Sequence, residues 1–182
     1  MKITKDFKGL VRIANGDYVF EGDLRSADSI EIELDDRLVV KGSLIAEKGI
    51  KAGCGIKAGC GIKAGWGIKA GWGIKAGCGI KAGWGIEAGW GIEAGDGIKA
   101  GYGIEAGWGI EAKTIASKKR IFAGLSLYRT SADCNKKITC EKLIEGEVAY
   151  GELIIKTEEK IQELTMADIE KKFGCKVKII KG

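Results

Sequence analysis

The chain has 182 residues with 30 basic and 25 acidic side chains, a net charge of +5, 30 glycines, and neither proline nor histidine. That length suits one domain, or one with a small appendage, and a hydrophobic fraction of 45% excludes bulk disorder. The missing histidine removes the usual general base and proton shuttle and the commonest transition-metal ligand, and so mild a net charge is far from that of a committed nucleic-acid binder.

Residues 1–48, with 8 basic and 10 acidic groups, read as strands and turns. Asn15-Gly16-Asp17 is a hairpin signal between Leu10-Val11-Arg12-Ile13 and Tyr18-Val19-Phe20. The alternation of Ser29–Leu34 and the run Arg37–Gly42 supply further strands. The opening residues Met1–Lys8 lack the apolar core of a signal peptide. No stretch approaches the roughly 18 apolar residues that span a bilayer. The expectation is a cytoplasmic protein with no membrane partner, whose cysteines are thiols rather than a disulfide framework.

From Gly49 to Ala112 the unit Gly-Ile-(Lys/Glu)-Ala-Gly-X recurs every six residues, with isoleucine at 50, 56, 62 and onward to 110 without a slip. Leu44, Leu38 and Ile32 extend that phase backward. Period six cannot place an apolar stripe on an α-helix, and 21 glycines in these 64 residues would each cost a helix nearly 1 kcal/mol. Collagen needs glycine at every third residue. Six is a multiple of the strand period, so every isoleucine shares one strand face. The reading is a β-solenoid in which one hexad makes one side of a prism.

Sorting X by eighteen residues gives three columns: Cys54, Trp72, Trp90, Trp108; then Cys60, Cys78, Asp96; then Trp66, Trp84, Tyr102. Sorting by twelve mixes the residue classes, so three hexads per coil is favoured. The charged position sorts into Lys51-Lys69-Glu87-Glu105, Lys57-Lys75-Glu93-Glu111 and Lys63-Lys81-Lys99. Coils stack about 4.8 Å apart, where like charges in water repel by roughly 1 kcal/mol. Two columns change sign halfway and the third stays basic. That third column is read either as a solvated face or as a positive stripe beside Trp66-Trp84-Tyr102, suited to a phosphate-bearing, nucleic-acid or acidic-protein partner. Isoleucine and alanine are expected inside, with X at the corners forming aromatic ladders. The alternative is a wider coil with the ladders as core. Exposed ladders would form a large apolar patch, which signals a partner surface or a second copy of the chain. Cys60 and Cys78 are expected as stacked neighbours, read as small column-filling residues rather than a disulfide or shared metal site.

Residues 113–157, with 9 basic and 5 acidic groups, are the most basic part, through Lys118, Lys119, Arg120, Arg129, Lys136 and Lys137. Ile115, Ile121 and Leu125–Leu127 continue as strands, Tyr128–Lys137 reads as a polar surface loop, and Ile138–Leu143 and Val148–Ile155 return to strands. Residues 158–182 read as a strand–helix–strand tail. Thr165–Asp168 starts the helix, Gly174 closes it, and Cys175–Ile180 follows as a strand. The fold class is therefore all-β, a single-stranded three-sided solenoid of about eighteen residues per coil with a small α/β tail.

The Gly-Ile-Lys/Glu-Ala-Gly-X repeat resembles the hexapeptide-repeat left-handed β-helix superfamily, which implies a left-handed coil. Many of its members are acyltransferases with a histidine base, a chemistry this histidine-free chain does not inherit. Val40–Ile50 resembles bactofilins, polymer-forming bacterial solenoids. The whole plan, including Arg120–Gly124 and Gly146–Gly151, is similar to short Gly-Trp-rich solenoid proteins of phages and prophages of Gram-positive bacteria. That resemblance implies a protein that binds host machinery, as anti-CRISPR inhibitors do. No P-loop, nucleophile elbow or Cys-x-x-Cys is present. The expectation is a non-enzymatic binding protein without cofactor or metal. Its protein partner would meet the ladders Trp66-Trp84-Tyr102 and Trp72-Trp90-Trp108, the stripe Lys63-Lys81-Lys99, or the basic region 118–137. Self-association, including a homodimer, and nucleic-acid binding are the alternatives.

Overall fold

The computed structural model describes residues 1–124, 136–157 and 171. Its 22 strands wind as an all-β parallel solenoid of about seven turns, with about 18 residues per turn. Each hexad contributes one three-residue strand. Ile50–Ala52, Ile68–Ala70, Ile86–Ala88 and Ile104–Ala106 stack as a first face. Ile56–Ala58, Ile74–Ala76 and Ile92–Ala94 form a second face, which Ile110–Glu111 continues. Ile62–Ala64, Ile80–Ala82 and Gly97–Ala100 form the third.

The register is set by the side chains. Ile62 lies beside Ile80, Lys63 beside Lys81 and Ala64 beside Ala82, so every eighteenth residue meets its own kind. From Ile50 to Ile110 each repeat isoleucine is at most 2% exposed, and the alanine two places on is buried with it. A fully buried isoleucine stabilises by about 1.5–3 kcal/mol, so a coil with three of them is held chiefly by its axis. The interior is a narrow column of isoleucine and alanine, and X stays at the corners.

The two glycines of a hexad do different work. A Cβ on Gly65, Gly77, Gly83, Gly95 or Gly101 would sit 1.9–2.0 Å from a carbonyl oxygen of the preceding coil. One on Gly67 or Gly79 would meet the following coil's carbonyl at a tight 3.2–3.3 Å, and one on Gly85 at an ordinary 3.5 Å. The glycine before X is thus required by close approach of backbones. That approach makes hydrogen bonds: the amide of Gly83 donates to the carbonyl of Ala64 at 3.1 Å, and that of Trp84 to Trp66 at 3.2 Å. The corners therefore continue the ladder and leave few backbone groups unpaired.

At the N-terminus Leu10–Arg12 and Tyr18–Phe20 pair antiparallel, as the hairpin reading expects, and Tyr18–Phe20 then stacks in parallel on Leu38–Val40. The Asp35 carboxylate accepts from the Tyr18 hydroxyl at 2.7 Å and from Lys5 at 3.0 Å. These two contacts hold its carboxyl down at about 2. The phase drawn through Ile32 is corrected here. Ile30 lies beside Ile50 and Ile32 beside Ala52, so Ile30 occupies the repeat's isoleucine place. Two extra residues between Ile32 and Leu38 lengthen this coil, and Leu34 tucks inward to fill it.

Beyond Ala112 a single strand, Thr114–Ala123, turns a corner and pairs with both the third and the first face. It has no glycine at the bend. The corner bond is still made, the Lys119 amide donating to the Tyr102 carbonyl at 2.8 Å, and the hydroxyl of buried Ser117 donates to the same oxygen at 2.7 Å. Lys118, Lys119 and Arg120 are therefore strand residues on an exposed corner. The last stacked strands are Lys137–Cys140, Lys142–Tyr150 and Glu152–Ile155. Leu153 and Ile155 lie in register with buried Ile138 and Cys140 yet are 39% and 44% exposed, so the apolar column is open at this end among the described residues. Arg129 and most of the expected loop fall outside those residues. So does the expected tail, apart from Lys171, which is helical.

Candidate functional site: two aromatic grooves and a lysine face

The corner between the third and first faces carries Trp66, Trp84 and Tyr102, which are 48%, 64% and 63% exposed. The corner between the first and second carries Cys54, Trp72, Trp90 and Trp108. Cys54 is buried, Trp72 and Trp108 are half-buried and Trp90 is 45% exposed. The ladders are external, so the core reading of the tryptophans is set aside.

Both columns are stacked. Trp66 and Trp84 have centroids 5.9 Å apart and planes 14° from parallel. Trp72 and Trp90 are 5.6 Å apart at 10°, and Trp90 and Trp108 5.5 Å apart at 8°. Corner hydrogen bonds set this spacing: Trp90 donates to the Trp72 carbonyl and Trp108 to that of Trp90. Each such pair contributes about 0.5–1.5 kcal/mol beyond the area it buries. Stacking covers both faces of Trp90 and one face each of Trp66, Trp84, Trp72 and Trp108. The first ladder is closed at its ends by cations, with the Lys48 ammonium 5.9 Å over Trp66 and that of Lys119 5.7 Å over Tyr102. Trp66, between Trp84 and Lys48, therefore presents its indole edge to solvent.

Each ladder leans over the face that follows it in sequence. Trp66, Trp84 and Tyr102 line one groove with Lys51, Lys69, Glu87 and Glu105, a space of about 620 Å³. Trp72, Trp90 and Trp108 line another with Lys57, Lys75, Glu93 and Glu111, about 280 Å³. Lys63, Lys81 and Lys99 lie in a third groove, where the wall has no aromatic residue. The expected positive stripe beside Trp66-Trp84-Tyr102 is thus corrected. Each aromatic ladder overlooks a face of mixed sign, and the lysine stripe is separate, following the small corner Cys60-Cys78-Asp96.

The charge columns are as the eighteen-residue sorting predicts. Ion pairs form at the sign change, Lys69 with Glu87 and Lys75 with Glu93. Lys156 from the last coil reaches Glu111 at 2.6 Å. Lys63, Lys81 and Lys99 lie in direct register with no ion-pair partner among the described residues.

Of the basic region, Arg120 pairs loosely with Glu147 at 3.8 Å. Lys119 caps the first ladder, and Lys137 lines the second groove. Lys136 lies away from both ladder grooves, beside Tyr150 and Gly151. Lys118 is exposed on the bend. Spacing alone places these lysines near one another but does not show that one cation closes an aromatic stack.

Cys60 and Cys78 are exposed, free and stacked one coil apart, the Cys78 amide donating to the Cys60 carbonyl at 3.0 Å. Burial pushes the Cys54 and Cys140 thiols up, away from nucleophilic thiolate. Among the described residues no group of three or more cysteine, aspartate or glutamate side chains is arranged to hold a metal ion, and no helix is long and apolar enough to cross a membrane.

Comparison of the chain with protein-family models, with curated proteins and with solved structures finds no match.

Proposed function

We propose that the chain is a non-enzymatic, rigid binding protein that docks a protein partner through its aromatic grooves. The observation that carries this reading is the pair of exposed tryptophan ladders, held outside the buried isoleucine–alanine column and set over faces of mixed charge. Tryptophan is the residue most enriched where partners contribute binding energy, and a scaffold whose every rung is hydrogen-bonded to the next loses little freedom on binding. Exposed tryptophan is not needed for the coil itself, since Cys60, Cys78 and Asp96 occupy equivalent corners.

The stacking also favours protein over single-stranded nucleic acid. Base-binding platforms need open ring faces, and here both faces of Trp90 are taken by neighbouring indoles and those of Trp66 by Trp84 and Lys48. The lysine stripe supports nucleic acid as the second reading, because its three ammonium groups have no ion-pair partner among the described residues. Within the protein-binding reading, the resemblance to phage and prophage solenoids makes a component of host machinery, with anti-CRISPR-like inhibition, the first partner to test.

The test is capture from nuclease-treated bacterial lysate with the wild-type chain, Trp90→Ala, Trp84→Ala and the charge reversal of Lys63, Lys81 and Lys99. The proposal expects a protein whose capture falls at least tenfold in a tryptophan variant, survives nuclease and depends weakly on salt. Capture that is lost with nuclease, falls steeply with salt and disappears only in the lysine reversal would replace it with the second reading.

A further inference from the structure

The sign change on the first face has a geometric consequence. Running along the axis, the outward residues are Glu31, Lys51, Lys69, Glu87, Glu105 and Phe122, the last beside Arg120. Lysine precedes glutamate about a midpoint between the coils of Lys69 and Glu87. Relief of repulsion within the chain does not account for the switch, because the third face stacks Lys63, Lys81 and Lys99 in register without one. A two-fold axis parallel to the strands through that midpoint reverses the solenoid while keeping each residue's place across the face. It lays Lys51 against Glu105 and Lys69 against Glu87 of a second copy. Glu31 falls against the end that holds Arg120, and Trp66 opposite Trp84.

We infer that the first face is a dimerisation surface, on which two copies of this chain pack antiparallel about that axis. Three observations choose this face over the second. Its ladder is the more exposed of the two. Its groove is the larger. Within one chain Lys51 and Glu105 have no ion-pair partner among the described residues, and the two-fold brings them together. On the second face Glu111 is already taken by Lys156. An isologous contact of this kind closes at two copies, and a parallel arrangement would set lysine on lysine. Six strands about 4.8 Å apart make a face some 25 Å tall and only one hexad wide, smaller than the standard interface of about 800 Å² per partner, so the dimer should dissociate on dilution. This goes beyond the partner reading: it assigns the Trp66-Trp84-Tyr102 groove to a second copy and leaves the Trp72-Trp90-Trp108 groove for a different protein. It can fail without affecting that reading.

The test is sedimentation equilibrium of the purified full chain across a concentration series, without any partner. Two variants are made, Lys51→Glu with Lys69→Glu, and Glu87→Lys with Glu105→Lys. Both place single-sign columns on exposed positions, as the third face already does, and circular dichroism checks that each folds as the wild type. The inference expects a wild-type monomer–dimer equilibrium, at least tenfold weaker self-association of each variant, and recovery of the dimer when the two variants are mixed. A wild type that stays monomeric, growth beyond two copies, association untouched by the reversals, or no recovery on mixing would each overturn it.

Discussion

At the scale of single residues, the corner glycines separate two effects that composition merges. Gly83 and Gly85 flank the same tryptophan, yet a Cβ at Gly83 would lie 1.9 Å from the Gly65 carbonyl oxygen, and at Gly85 3.5 Å from that of Gly103. Gly83→Ala is expected to cost about 1–3 kcal/mol through forced separation of the coils. Gly85→Ala is expected to be neutral, or stabilising by up to about 1 kcal/mol through the unfolded chain. Paired thermal and denaturant unfolding decides between them, and equal losses would show that the backbone approach is wrongly placed. Ile74, 1% exposed, is held on all sides, so Ile74→Ala should cost about 2–5 kcal/mol. Asp35 gives a pH signature. Its carboxyl titrates at about 2 rather than 3.8 because the Tyr18 hydroxyl and then Lys5 favour the charged form. A depressed carboxylate contributes stability that is complete above its ordinary value and is lost as pH falls. The N-terminal coil should therefore weaken between about pH 4 and 2, and Asp35→Asn should flatten that slope in acid-unfolding curves.

At the scale of elements, a ladder is a set of pairs laid on a corner that does not need them. Trp84→Ala is expected to leave the coil folded and to lower stability by no more than about 1.5 kcal/mol, the worth of an aromatic pair. Loss of cooperative unfolding would mean that the indole is core. Half of this division was legible in the sequence, since isoleucine and alanine share strand parity and belong inside; the place of tryptophan was not, because a wider coil would have taken the ladders into its core. The columns were legible too, because chemical class repeats at eighteen residues and not at twelve. The lean of the ladders was not: a column assignment says which residues stack, while the direction of the side chain over the following face depends on corner geometry that every hexad shares. Ile32 illustrates another limit. Ile30, Ile32 and Leu34 alternate, all three are buried, and a phase six residues before Leu38 fits by coincidence. Only the coil-to-coil pairing shows the two-residue insertion. The strand Thr114–Ala123 was obscured for the opposite reason, since Ser117 stands in the alanine place beside Ala100 and Lys118, Lys119 and Arg120 take the corner that Gly101, Tyr102 and Gly103 make one coil earlier.

At the scale of the whole molecule, each coil touches chiefly the coil before and after it, so stability should be close to a sum over neighbours. Deleting residues 73–90 removes one full coil and rejoins Trp72 to Gly91 as Trp90 was joined. The shortened chain is expected to fold, with a lower Tm. Deleting residues 73–87 breaks the hexad phase and should unfold everything beyond the junction. The claim on which both the grooves and the partner surfaces depend is that Trp72, Trp90 and Trp108 form one stack at one corner. Indoles at 5.5–5.6 Å with nearly parallel planes should couple as excitons in circular dichroism. Trp90→Phe separates Trp72 from Trp108 by two coils and should abolish that column's couplet, whereas Trp108→Phe should retain the half that comes from Trp72 and Trp90. Equal losses from the two substitutions, or none from either, would contradict the three-sided coil.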